Sequence, residues 1–413
     1  MNNFFSIILV ASISLSIASC GVINKVRLMN ENNDLQTIWN EDDTQANPKA
    51  DFVYAKPYIY GSIDGVNELK FLIDTGSSIS MLFDTQKVKR INLKPGYELI
   101  VGGYGGHEYS AAYQTEVNKL SIDSLSFKSV DFGYIPVSET GFFIRPDQVG
   151  FDGVIGNDIL RDLVWHIDRD SNKVTVHKTL PASLLKKSIV WTPFDTFFGK
   201  ISFKAKITFE DHILERDIIL DTGSRYHMSI NDAYFHDNDE KAFPSPSVQS
   251  AGYSLSGLAT HHKANTPSVE VESLKFMNVV TNIIQEDEDD FWTLGSALLS
   301  QYEIIVDYPN MQLGFIAREG QSFKSQYNLV GLELRKLQNG NFIVGYSSPD
   351  LPSSSLGFEV GSEINLINGV NAQDISVDQW LELASKEGVF QFCLVNTDTC
   401  PEVEVFSIEG FSR

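Results

Sequence analysis

Phe71-Leu72-Ile73-Asp74-Thr75-Gly76-Ser77 returns as Ile218-Ile219-Leu220-Asp221-Thr222-Gly223-Ser224, 147 residues further along the chain. Downstream positions keep the displacement: Ile79 with Tyr226, Met81 with Met228, Phe83 with Ile230. A second pair of segments follows, Asp152-Gly153-Val154-Ile155-Gly156-Asn157-Asp158-Ile159-Leu160 and Phe291-Trp292-Thr293-Leu294-Gly295-Ser296-Ala297-Leu298-Leu299. From Gly156 and from Gly295, twelve residues lead to an aspartate, Asp168 and Asp307. Residues 51–180 and 190–318 therefore read as two copies of one unit.

Both copies read as strands. Val53 to Tyr60, Lys70 to Ile73, Ser202 to Thr208 and Ile304 to Asp307 are rich in β-branched and aromatic residues and bounded by Gly, Asn and Asp. Helical signals are short, Asn157 to Leu163 being the clearest. Two related β-lobes are expected.

An aspartate that closes a short apolar strand is held rigidly at an interior seam. The glycine after it lets the backbone turn and approach closely, and the threonine and serine hydroxyls can orient the carboxylate. If the lobes face each other about a pseudo-twofold axis, Asp74 and Asp221 meet. Two carboxylates that close cannot both ionise readily, so they share a proton. One then serves as general base on a water while the other, protonated, polarises a carbonyl.

These segments resemble the pepsin-like and retropepsin-like aspartic peptidases over residues 51–318, with loop lengths nearer the short bacterial and retroviral units. The resemblance implies a catalytic pair, Asp74 and Asp221, supported by both loops. Thr75 and Thr222 would cross-link them, Gly76 and Gly223 would bring backbone to the carboxylates, and Ser77 and Ser224 would support the outer oxygens. It implies no metal and no organic cofactor, an extended polypeptide as substrate, and a monomer. After the second motif, Arg225, Tyr226 and His227 stand where apolar or small residues are usual. An outward, salt-bridged Arg225 is expected; a cation in the cleft is the alternative.

The family also covers its cleft with a glycine-rich hairpin. Gly102-Gly103-Tyr104-Gly105-Gly106-His107 lies where that flap should fall, with Tyr104 at its tip, and Ala251-Gly252-Tyr253-Ser254-Leu255-Ser256-Gly257 occupies the matching place in the second copy. Pepsins keep one flap and retropepsins two, so either arrangement is open. Such hairpins deform to admit an extended peptide and pair with its backbone.

Residues 1–19 carry no charged side chain, and Phe4 to Ala18 is a nearly unbroken apolar and small run that suits a signal peptide. It closes on Ile17-Ala18-Ser19-Cys20, which resembles a bacterial lipobox, so lipid at Cys20 is expected. That implies a cell-envelope protein facing the periplasm or the exterior. Residues 20–50 are polar and nearly aperiodic, as in a flexible tether.

Beyond Arg318 the composition changes, and residues 325–413 resemble a PDZ domain. Val330-Gly331-Leu332 would form its peptide-binding loop, and Ser376 with Gln379 forms a capping box that opens a helix. Removing this region is expected to spare short-peptide cleavage. Strands at Phe390 to Val395 and Pro401 to Phe406, turning at Asn396-Thr397, would place Cys393 opposite Cys400 for a disulfide.

Acidic residues outnumber basic ones by 54 to 32, a net charge of −22 that argues against nucleic acid and against electrostatic docking on anionic lipid. His261-His262 lacks a third ligand at workable spacing, Glu286 to Asp290 reads as a solvated loop, and Gly102 to Gly106 lacks the Lys of a P-loop. The expected architecture is mainly β: a bilobal acid-protease fold with a C-terminal PDZ-like domain. Its expected role is membrane-anchored aspartic endopeptidase. The rival is a silent adaptor that works through the PDZ region alone.

Overall fold

The computed structural model describes residues 23–105, 109–236, 243–286, 292–318, 320, 323–397 and 399–408. Cys20, Gly106 and His107 lie outside them, as does most of the acidic run after Glu286.

The chain is mainly β, with four sheets among the described residues. The first lobe is a nine-stranded sheet and the second an eight-stranded one. In the first, Gly153–Ile155 runs parallel to Val66–Ile73 and antiparallel to Met81–Phe83. In the second, Thr293–Gly295 lies in the same way between Ile213–Asp221 and Met228–Asn231. The repeated sequence is thus a repeated strand insertion. Its short strands are buried on both faces, which is why they read as unbroken apolar runs rather than alternating ones.

A six-stranded sheet joins the lobes. Val164–Asp168 of the first copy pairs antiparallel with Tyr302–Asp307 of the second, Val164 opposite Asp307 and Ile167 opposite Ile304. One hydrophobic core runs through both lobes and includes Phe71, Trp165, Trp292 and Phe315. The two copies fold as one body, with their catalytic-type loops at the shared seam.

The expected tether is folded. Residues 23–31 form a helix that buries Leu28 against the first lobe beside Ile79 and Phe83. Asn32 is fully buried and donates to Asp158 Oδ2 at 2.8 Å and to Asp131 O at 2.8 Å. Thr37–Trp39 adds an edge strand on Leu125–Phe127, and Gln45–Ala46 joins the inter-lobe sheet. The polar composition misleads because this segment docks through a few side chains and through backbone pairing, neither of which leaves a periodic apolar pattern.

The C-terminal domain is a six-stranded sheet with the helix Val377–Ala384 packed on it. Gln379 N donates to Ser376 Oγ at 3.1 Å and Ser376 N to Gln379 Oε1 at 2.7 Å, the reciprocal capping read from the sequence. Gly388–Leu394 and Glu402–Val405 form its last hairpin, Gln391 opposite Glu402. That register carries Cys393 opposite Cys400, and the two are bonded with Cα atoms 4.2 Å apart.

Candidate active site

Asp74 and Asp221 are delivered by equivalent strands. Phe71, Leu72 and Ile73 are buried, as are Ile218, Ile219 and Leu220, so neither strand end can shift without disturbing the core. Asp74 N–H donates to Ile155 O at 3.0 Å, fixing the first loop to its inserted strand.

The loops meet face to face. A Cβ on Gly76 would stand 2.5 Å from Asp221 Cγ, and one on Gly223 would overlap the Asp74 carboxyl group. Only glycine allows this approach, whatever its backbone angles. The threonines lock it: Thr75 N–H donates to Thr222 Oγ1 and Thr222 N–H to Thr75 Oγ1, each at 3.1 Å. Each hydroxyl then donates into the opposite strand, Thr75 to Leu220 O and Thr222 to Ile73 O, both at 2.7 Å. Both threonines are buried, so water does not compete for these bonds.

The serines act differently from the expected role. Ser77 Oγ donates to Ile79 O at 2.8 Å, and Ser224 Oγ accepts from Tyr226 N–H at 3.3 Å. They shape the turns. The carboxylates are held by backbone instead, Asp74 Oδ1 by Gly76 N–H and Asp221 Oδ1 by Ser224 N–H, each at 2.9 Å. Two further residues brace the loops from behind. Asn157 Nδ2 donates to Thr75 O at 2.7 Å and Ser77 O at 2.8 Å, while Ser296 Oγ donates to Thr222 O at 2.7 Å. They occupy the same place in the repeat, directly after Gly156 and Gly295. That equivalence was the available signal for their role.

Burial, and next to it the charge of Asp221, raises the Asp74 pKa to about 7. Burial raises Asp221 as well, against the pull of Lys200, the Ser224 and Gly223 N–H groups and Lys56. A pair in which one group resists ionising at neutral pH holds a single shared proton over a wide range. Such a pair offers a base and an acid to one cavity.

Both glycine-rich hairpins reach the cleft. Gly103 and Tyr104 line it from the turn between Glu98–Val101 and Ser110–Ile122. Gly252 and Tyr253 line it from the strand Ser247–Ser254. The hairpins clasp each other: Gly103 N–H donates to Ser256 Oγ at 2.9 Å, Ser254 Oγ to Tyr104 O at 2.9 Å and Ser110 Oγ to Leu255 O at 2.6 Å. Gly105 N–H donates to Glu286 Oε1 at 2.7 Å. Two hairpins, not one, cover the carboxylates and enclose a cavity of about 470 Å³.

The third wall comes from the C-terminal domain. Glu333 and Arg335, on the strand Leu332–Lys336, line the same cavity as Asp74 and Asp221. Arg225 is salt-bridged as expected but points inward, its Nη2 2.6 Å from Glu333 Oε2. Lys263 Nζ lies 2.6 Å from Glu333 Oε1. Burial alone would raise the Glu333 pKa, but Lys263 and Arg225 hold it far below the usual carboxylate range. Tyr253 OH donates to Gly345 O at 2.9 Å, so the second hairpin is also anchored on this domain. Nothing in the sequence links Glu333 to Arg225, 108 positions away.

The expected peptide-binding loop is occupied by its own domain. Val330 and Leu332 are fully buried, and a Cβ on Gly331 would meet Leu351 Cβ at 2.5 Å. Gly331 N–H donates to Asn328 Oδ1 at 2.9 Å and Leu329 N–H to Ala384 O at 2.8 Å. The strand after it is covered by the turn following Ala50–Val53, whose Tyr54 OH donates to Leu334 O at 2.9 Å. The Gly331 and Leu329 N–H groups are thus taken up inside the domain, and the turn at Tyr54 lies against the strand that follows. The domain is built into the cleft, which also removes the basis for expecting short-peptide cleavage without it.

A family model described as "Aspartyl protease" matches residues 59–159, the span that holds Asp74, the first hairpin and Gly156. No curated protein matches the chain. Among solved structures, the chain is similar to the aspartic proteinase from Irpex lacteus at 13% identity and a TM-score of 0.42, over 67% of this chain and 98% of that one.

Proposed function

We propose that this chain is an aspartic endopeptidase that cleaves peptide bonds with a water held between Asp74 and Asp221. The observation that carries the reading is the crossed pair of Thr75 and Thr222 bonds, which holds the two aspartate loops against each other in a covered cleft. The ionised member takes a proton from water as that water attacks the carbonyl carbon, and the protonated member donates to the carbonyl oxygen. Collapse of the tetrahedral intermediate passes a proton to the leaving amine and returns the pair to its shared-proton state. The family match over residues 59–159 supports the same chemistry.

An extended chain would lie beneath the two hairpins, whose glycine-rich backbones can pair with it. The C-terminal domain, PDZ-like in its sequence signals, serves in this reading as a fixed wall of the cleft. The apolar leader ending at Cys20 supports lipid anchoring in a bacterial envelope.

Digestion of a peptide library by the purified full chain tests the reading. Cleavage that stops with a statine-type inhibitor is expected. A wild-type protein that cleaves no peptide at any pH from acid to neutral sinks it.

A further inference from the structure

Arg335 and Lys56 are among the cations that line the cleft. Arg335 lies between the rings of Phe142 and Tyr253, 4.8 Å from each centroid, and donates from Nη1 to Phe142 O at 2.5 Å. Phe142 belongs to the first lobe and Tyr253 to the second-lobe hairpin, so one guanidinium from the C-terminal domain is clamped by both halves. Lys56, the first residue of the strand Lys56–Ile63, sits 5.9 Å over the Tyr58 ring. Among the described residues neither makes an ion pair, and both line the cavity that holds the two aspartates.

The other acidic groups there are already committed. Glu333 is bound by Arg225 and Lys263, Glu286 accepts from Gly105, and burial raises the pKa of both aspartates. The cavity interior thus carries surplus positive charge inside a chain of net charge −22. The cost of holding it appears in both groups. Burial lowers Lys56 to about 8, with Arg225 and Arg335 adding to that effect and Asp74 and Asp221 opposing it, and burial lowers Arg335. A desolvated guanidinium with no carboxylate beside it is a standing cost that an entering anion relieves. A guanidinium fixed by two rings and a carbonyl also presents its remaining N–H donors in one plane, the geometry that a carboxylate matches with two bonds.

We infer that Lys56 and Arg335 form a carboxylate-binding subsite of the cleft, so that preferred substrates place a carboxylate there. The inference rests on the peptidase reading for its setting. The carboxylate can come from an Asp or Glu side chain or from the free C-terminus of the peptide.

The test uses the full chain and matched peptides that differ only in Glu against Gln at successive positions, each made with a free and an amidated C-terminus. The ratio of kcat/KM between members of a pair is measured. A charge-assisted contact predicts a preference of about tenfold or more for one carboxylate form. Loss on Glu-to-Gln exchange assigns the site to a side chain, and loss on amidation assigns it to the terminus. Arg335→Gln should bring the ratio close to one, and Arg335→Lys should retain part of it. If Arg335→Gln does not fold, Lys56→Gln decides by the same ratio. Ratios near one for every pair in the wild type overturn the inference, as does a preference that survives both Arg335→Gln and Lys56→Gln. Should the wild type cleave nothing, the peptidase reading fails by itself. Calorimetric binding of the same peptide pairs, with the same preference expected and the same two overturning results, then decides the subsite.

Discussion

Arg225 Nη2 stands 2.6 Å from Glu333 Oε2, and this contact ties the second aspartate loop to the first strand of the C-terminal domain. Glu333 is buried and also accepts from Lys263 and Ser250. Removing its charge leaves two cations uncompensated inside the protein. Glu333→Gln is expected to cost about 3–5 kcal/mol, read from denaturant unfolding. Truncation before residue 325 should for the same reason impair cleavage of short peptides. Full activity of the truncated chain would mean that the cleft stands without its third wall.

Asp74→Asn or Asp221→Asn alone should lower kcat by a factor on the order of 10² to 10⁴, since one carboxyl cannot be acid and base together. Both loops belong to one chain and are crossed through Thr75 and Thr222. Mixing the two single variants should therefore restore nothing. Recovered turnover would place the working pair between two chains.

The raised Asp74 pKa links protonation to stability. The folded protein holds that proton up to about pH 7, whereas an unfolded chain releases it near the ordinary carboxylate value of 3.8. The unfolded state therefore binds fewer protons across this window, and stability falls as pH rises through it. Asp74→Asn should flatten that decline and exceed the wild type in melting temperature above pH 7. Catalysis should fade over the same basic limb as the shared proton is lost. An unchanged pH slope in the variant would place the Asp74 pKa near its unfolded value.

Cys393 and Cys400 should resist thiol labelling in the native protein and become reactive only after reduction. The loop they close is short, so Cys393→Ser with Cys400→Ser should cost only about 2 kcal/mol by the chain-entropy argument. Labelling of both without reductant would exclude the bridge.

Lipid at Cys20 is checked by phase partition. Cys20→Ala should move the protein from the detergent phase to the aqueous phase. Equal partition of the two forms would reject the anchor.

Much of the architecture was legible because it is local or periodic. The two β-lobes follow from apolar segments that recur in both halves of the sequence, and the last helix announces itself through Ser376 and Gln379. Cys393 and Cys400 follow from counting outward from a turn. Legibility failed where a residue's role depended on what packs over it. Asn-rich residues 23–34 read as a loop, yet Leu28 and Asn32 are fully buried. Ser77 and Ser224 carried the right hydroxyls and spend them on their own turns.

The sequence by itself determined that two equivalent strands end in Asp74 and Asp221, because a duplicated pattern records the same local geometry twice. Only the tertiary structure decided that Lys56, Arg225, Glu333 and Arg335 share one cavity, that both hairpins clasp over it, and that the C-terminal domain forms its wall. Each of these residues, read in its own segment, is an ordinary charged side chain. Its meaning comes from desolvation and from a partner as much as 193 positions away, and neither is a property of any local stretch of chain.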